Sequence, residues 1–230
     1  MNTKSNILEI RDLSFQWKEK TNFRLAINKL DLEIQSKLLL LGKSGCGKST
    51  LLNIISGIIV PSNGSIYINQ TDVLNLSSKN RDYFRAANLG VIFQQFNLLE
   101  HMSPITNILL PCYFTNFKKK NYSFYLNRAI NLGKKIGIDK DILVKKKAKN
   151  LSVGQKQRIA IIRAIINKPK LILADEPTSA LDTENKEKFL SLLFNLCKSE
   201  KISLLMVSHD ERLKPLFDKS ILMQSLNKKT

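Results

Sequence analysis

The stretch GKSGCGKST, Gly42 to Thr50, places three glycines, two lysines and three hydroxyls in nine consecutive residues. It satisfies G-x-x-x-x-G-K-[ST], a spacing suited to holding phosphate. Gly42, Gly45 and Gly47 let the backbone bend, so that N–H groups along Lys43, Ser44, Cys46, Lys48, Ser49 and Thr50 can turn in on phosphate oxygens. Lys48 can reach the outer phosphates, and the Ser49 hydroxyl can ligate Mg²⁺. A second chemical signal lies in LILADE, Leu171 to Glu176, an apolar run ending in two acids. Asp175 would hold Mg²⁺ through water and Glu176 would orient and polarise an attacking water. The alternative for Glu176 is an ordinary acid at a helix start.

These groups need a scaffold. LLLLG, Leu38 to Gly42, reads as a buried strand leading into the loop, and a helix is expected from Lys48 to about Ile59, stopped by PSNG. ILEIRDLSF and LAINKLDLEI alternate apolar and polar residues, as antiparallel strands do. IYI and LGVIF read as further strands, and ILMQS as a last element of the chain. From about 95 to 151 the pattern is helical and rich in lysine, which predicts an inserted helical subdomain within one domain spanning 1–230. Beyond it, helix and apolar strand alternate, implying a parallel sheet covered by helices. The expected class is α/β.

A chain of 230 residues supports one sizeable core. No apolar window reaches the ~18 residues of a membrane span. Cys46, Cys112 and Cys197 are too scattered for a disulfide framework or a zinc site, which suggests a reducing cytoplasm. The net charge of +18 would suit a polyanionic partner, but lysine, asparagine and isoleucine are all abundant, as codon bias would also make them. Two basic runs stand out, Lys118 to Lys120 and Lys145 to Lys147.

In order along the chain, GKSGCGKST, VIFQQ, LSVGQKQR, LILADEPTSALD and MVSHD resemble the motif set of the ATP-binding cassette (ABC) family. The resemblance spans nearly the whole chain. It implies a P-loop NTPase fold with a parallel-sheet core, an N-terminal antiparallel β subdomain and an inserted α-helical subdomain. It also implies ATP and Mg²⁺ as ligands and hydrolysis of ATP to ADP and phosphate. Gln94 would touch Mg²⁺ and the attacking water, with Gln95 the adjacent candidate, and His209 would contact the γ-phosphate. Trp17 would stack on adenine, the alternative being a residue of the strand core. Ser152, Gly154 and Gln155 would close over nucleotide held by a second cassette, and Asp182 would mark the loop crossing to that partner. His101 matches no motif and reads as structural or surface.

Two departures are visible. Val153 stands where the family has glycine, and either the position needs no positive φ or closure is weaker. QSK replaces the glycine before LLLL, so an altered turn is expected. FQQFNLLEHMSPITNILLP is similar to the FQ-x-x-x-LL…T-x-x-N-x-x-LP pattern of lipoprotein-releasing and macrolide-exporter cassettes. That likeness implies a homodimer working with a separate, four-span permease, peripheral on the cytoplasmic face of the cell membrane, with no nucleic-acid partner. The rival class, a soluble cassette ATPase acting on nucleic acid or ribosomes, usually separates the loop and signature by a long coiled coil or carries two cassettes; here no sustained heptads intervene.

Overall fold

The structure, a computed structural model, describes residues 5–17, 23–115 and 121–226. The basic run Lys118 to Lys120 lies outside the described residues. Strands β1 (Asn6–Gln16) and β2 (Arg24–Glu33) pair antiparallel, while β3 (Lys37–Leu41) leaves them for a second sheet. After α1 (Lys48–Ile55), β4 (Asn63–Ile68) and β5 (Thr71–Asp72) return to complete the first sheet, ordered β2-β1-β4-β5. The second sheet follows α2 (Ser78–Asn88). It consists of β3 with β6 (Leu89–Ile92), β7 (Leu171–Asp175), β8 (Ser203–Ser208) and β9 (Lys219–Leu222), ordered β6-β7-β8-β3-β9 with every pair parallel. This is the expected α/β architecture.

Both faces of the parallel sheet are buried, which explains its nearly unbroken apolar strands. Leu38, Leu40, Leu173 and Val207 pack in a core shared with α1 and the antiparallel sheet. Leu39, Leu41, Ala174 and Met206 pack on the opposite face, with α6 (Val153–Ile165) and α7 (Thr183–Glu200). That second core continues into α3 (Pro104–Leu109), α4 (Tyr122–Lys135) and α5 (Lys140–Lys145) through Ile108, Leu132 and Leu143. Gly90 permits the close approach of β6 to α6, since a Cβ there would collide with the Ala164 carbonyl. Lys145 to Lys147 are exposed, and Lys145 pairs with Asp141 at 2.9 Å.

Three local readings change. Helix α1 stops at Ile55, short of Ile59, because Gly57 turns left-handed (φ 71°) and the Ile58 N–H returns to the Asn53 carbonyl at 3.0 Å. Helix α2 is polar and buries no residue fully, so it has no apolar stripe by which to be recognised, although Ser77 caps it. The ILMQS run is divided between β9 and a short helix, α8 (Met223–Leu226). The glycine-free turn before β3 places Gln35 at φ 60°, and its N–H donates to Ser203 Oγ at 2.8 Å. Among the described residues no helix is long and apolar enough to cross a membrane.

Candidate active site

Strand register assembles the site. Leu41 lies beside Ser208, Asp175 beside Val207 and Ile92 beside Ala174, so four strands end along one edge of the sheet. Gly42, Glu176, Gln94 and His209 thus emerge together at the carboxyl edge, where ligands of open α/β sheets bind. Gly47 is the N-cap of α1 at φ 99°, and a Cβ on it would meet the Phe23 ring at 2.8 Å. Only glycine satisfies both demands. The cap supplies no side-chain hydrogen bond, which leaves the first-turn N–H groups of α1 to an anion.

Lys48 is 4% exposed and donates to the carbonyls of Gly42 at 2.7 Å and Lys43 at 2.9 Å. Its ammonium also lies 3.1 Å from Glu176 Oε1. The other carboxylate oxygen, Oε2, accepts from His209 Nδ1 at 2.7 Å. Glu176 is therefore held between a buried lysine and a half-exposed imidazole. Its backbone is left-handed (φ 43°), and its N–H donates to the Val207 carbonyl at 3.1 Å. A non-glycine residue in that region stores strain, a feature that clusters at functional sites. Burial pushes the Asp175 carboxyl up; a hydrogen bond with Ser49 pulls it back, and the adjacent Glu176 carboxylate adds to the rise. Two acids meeting at a desolvated strand end, beside a serine hydroxyl and the Gln94 amide, form an all-oxygen donor set. That chemistry fits Mg²⁺.

A cleft of about 500 Å³ gathers Trp17, Phe23, Ser44, Gly45, Gly47, Lys48, Ser49, Thr50, Gln94 and Glu176. Gly42, Lys43 and Cys46 form the back of the loop instead of its lining. The first two lend carbonyls to Lys48, and the Cys46 N–H donates to Lys43 at 3.3 Å. Trp17 is 41% exposed and meets Phe15 edge-on at 5.0 Å, so it is a rim residue and not strand core. Gln95 and His101 are exposed and stand outside the lining.

Ser152, Gly154, Gln155 and Asp182 are likewise absent from the cleft lining. Ser152 caps α6 in a reciprocal box: its Oγ accepts from the Gln155 N–H at 3.2 Å, and Gln155 Oε1 accepts from the Ser152 N–H at 3.1 Å. The Ser152 hydroxyl keeps its own proton to donate. Val153 opens the helix, is 61% exposed and has no positive φ, so valine costs the backbone nothing there. A Cβ on Gly154 would touch nothing within 4 Å. Among the described residues no contact requires a glycine there. Asp182 caps α7, and hydrogen bonds from the Asn185 backbone and side chain hold its carboxyl below the ordinary carboxylate range.

Three residues in this neighbourhood carry no motif signal. Phe23 supports Gly47, and Lys186 ties the His209 loop to α7 by donating to Asp210 at 2.6 Å. Arg163 donates to the carbonyls of Phe96 and Asn97, just beyond Gln94. Their partners are distant in sequence, so only the folded chain reveals them. Asn107 falls in NILLP, which fits the N-x-x-LP end of the cassette pattern. Fully buried, it exchanges hydrogen bonds with both the N–H and the carbonyl of Leu99.

Known proteins resemble this chain over most of its length. The chain is 33% identical over 217 residues to the lipoprotein-releasing system ATP-binding protein LolD of Wigglesworthia glossinidia brevipalpis, covering 94% of this chain and 93% of that one. It is 37% identical over 210 residues to the macrolide export ATP-binding/permease protein MacB of Mannheimia succiniciproducens, covering 90% of this chain but 32% of that longer protein. Its fold superposes with a TM-score of 0.77 and 29% identity on the ATP-binding cassette MJ0796, solved as a post-hydrolysis dimer bound to ADP and Pi, covering 94% and 93% of the two chains. The profile described as ABC transporter matches residues 25–179, from β2 through the phosphate loop, Gln94 and Ser152 to the strand bearing Asp175 and Glu176, and with these relatives it makes the chain a member of the ABC transporter family.

Proposed function

We propose that this chain is the ATP-hydrolysing subunit of an ABC transporter, working as a pair of cassettes with two ATP between them. The observation that carries the reading is a division of labour. Lys48, Ser49, Gln94 and Glu176 share one cleft, whereas the Ser152–Gln155 segment, at a helix N-terminus with a glycine where an added Cβ would meet no described atom within 4 Å, lies outside it. A two-fold pair would bring that segment of one chain to the cleft of the other. Charge-assisted donors from Lys48 and the α1 N-terminus would hold the phosphates, and Ser152 would add a donor from the partner cassette.

Ser49 and Gln94 would hold Mg²⁺ directly and Asp175 through water; when bound, the ion offsets phosphate charge. Glu176, steadied by Lys48 and His209, would orient the attacking water, and the Ser208–Asp210 loop would keep His209 at the γ-phosphate. ATP favours the closed pair because it touches both chains, and loss of the γ-phosphate removes that differential contact. The likeness to LolD and MacB supports a separate membrane subunit as the recipient of the movement, with this chain on the cytoplasmic face. An apolar groove of about 330 Å³ beside the Gln94 loop, lined in part by Ile58, Phe93, Leu110 and Phe114, offers that subunit a contact surface.

Mixing two crippled variants tests the shared site. Lys48→Ala damages the cleft; Gly154→Asp fits the fold, since a Cβ there is unobstructed, but sets a negative charge against phosphate. In a mixed dimer one site carries both defects and the other neither. Two inactive preparations combined should recover roughly a quarter of wild-type turnover if pairing is random and two-fold. No recovery from folded variants mixed at saturating ATP would contradict the shared site. Trp17→Ala should weaken ATP binding about tenfold, since base stacking on an aromatic ring contributes roughly 1–3 kcal/mol. Calorimetric titration of ATP and GTP checks this, and both nucleotides should lose affinity alike.

A further inference from the structure

Arg163 is a residue whose burial demands explanation. It is 8% exposed, on the face of α6 that packs toward β6, and has no carboxylate partner among the described residues. Burial alone brings its pKa down to about 10, which leaves it cationic at neutral pH. An isolated buried charge is costly, and a leucine or methionine would fill the same helix face more cheaply. The guanidinium is offset in one place. Nη1 donates to the Asn97 carbonyl at 2.7 Å and Nη2 to the Phe96 carbonyl at 2.5 Å, with the Phe93 ring 6.0 Å away.

Those two acceptors are themselves unusual. Phe96 (φ 59°) and Asn97 (φ 44°) are consecutive non-glycine residues in the left-handed region, which L-residues adopt at a cost. Phe96 is buried and packs toward Phe189 of α7 at 6.5 Å, so the turn cannot readily slide. The fork of one arginine spans both carbonyls and neutralises the dipoles that the turn aligns. Immediately before the turn, Gln94 projects into the cleft. About three helical turns earlier on the same α6 sits Ser152.

We propose that Arg163 is a positioning residue for Gln94: by clamping the left-handed Phe96–Asn97 turn to α6, it fixes where the Gln94 amide meets the cleft and ties that position to the helix that carries Ser152. This rests on the role of Gln94 proposed above. A helix that shifts when Ser152 meets nucleotide on the partner would then carry the Gln94 loop with it, because the clamp is bidentate and its arginine is buried. Each site would thereby sense closure at the other.

The test uses Arg163→Lys, alone and with Asn97→Gly, in the full chain. Lysine keeps the charge but offers a point donor that cannot bridge both carbonyls. Glycine at the exposed position 97 adopts positive φ without strain and lessens the need for a clamp. Arg163→Lys is expected to lower kcat by about 10- to 100-fold, the scale of a small misplacement of a catalytic group. ATP affinity without Mg²⁺, read from Trp17 fluorescence, should stay within about twofold, because the phosphate loop is untouched. Amide hydrogen exchange should accelerate across residues 95–98, and adding Asn97→Gly should restore several-fold of the lost turnover. Wild-type turnover and exchange in folded Arg163→Lys would overturn the inference. So would a loss of turnover matching only the loss of folded protein, or no restoration by glycine. Gln94→Ala separates the two levels. Wild-type turnover there removes the role of Gln94 itself, whereas a slow Gln94→Ala beside an unimpaired Arg163→Lys removes only the clamp.

Discussion

Glu176→Gln should reduce ATP hydrolysis by roughly 10²- to 10⁴-fold, the usual contribution of a positioned acid–base group, while strengthening ATP binding. The carboxylate touches Lys48 at 3.1 Å and His209 at 2.7 Å, and on the proposed reading it would face the terminal phosphate and its attacking water. The amide keeps the size of the side chain but cannot take a proton from water. It also removes a negative charge from beside an anionic ligand, and it frees Lys48 from a competing carboxylate. Both changes favour the bound nucleotide. The variant should therefore accumulate as an ATP-containing dimer, visible as a doubled mass in sedimentation with ATP and as a monomer with ADP. Phosphate release measures the first effect and Trp17 fluorescence the second. A monomeric variant at saturating ATP would remove the shared-site reading.

Lys48→Ala should act with the opposite sign on affinity. The ammonium is almost wholly buried and makes two short hydrogen bonds to the loop that it serves. Its removal would withdraw the cation proposed to lie nearest the phosphates and, among the described residues, leave the Glu176 carboxylate to His209. Hydrogen bonds to charged groups contribute about 1.5–3 kcal/mol each, so ATP affinity should fall roughly 10- to 100-fold. Turnover should fall at least as far if, as proposed, the same charge faces the phosphoryl group in the transition state. Trp17 fluorescence titration reads the first and phosphate release the second. Thermal unfolding is a needed control, since the two carbonyls lose their donor as well. The pair of variants is diagnostic. If both weakened ATP binding, Glu176 would be holding the loop together and not facing the phosphate.

Much of this was legible in the amino-acid order. The phosphate loop announces itself because glycines, lysine and hydroxyl are consecutive, and local backbone freedom is a local property. Strands β3, β7 and β8 were visible as apolar runs because a parallel sheet buried on both faces tolerates little else. The caps of α3 and α6 are local too, since each uses a serine and residues within one turn of it, although neither was part of the sequence reading. Helix α2 escaped notice because it buries no residue completely, and the end of α1 was misplaced because Gly57 acts before the more obvious PSNG turn.

The amino-acid sequence by itself determined the candidate chemistry: which groups could bind phosphate, which acids end the strand, and that helix and apolar strand alternate beyond residue 151. These depend on side-chain type and on neighbours a few bonds away. Only the tertiary structure decided the aim of those groups. It placed Glu176 between Lys48 and His209, bent its backbone left-handed, turned the Gln94 loop onto Arg163, and left Ser152 outside its own cleft. Each of these joins segments far apart in the chain, and such contacts follow from strand register and shared burial, which no local pattern encodes.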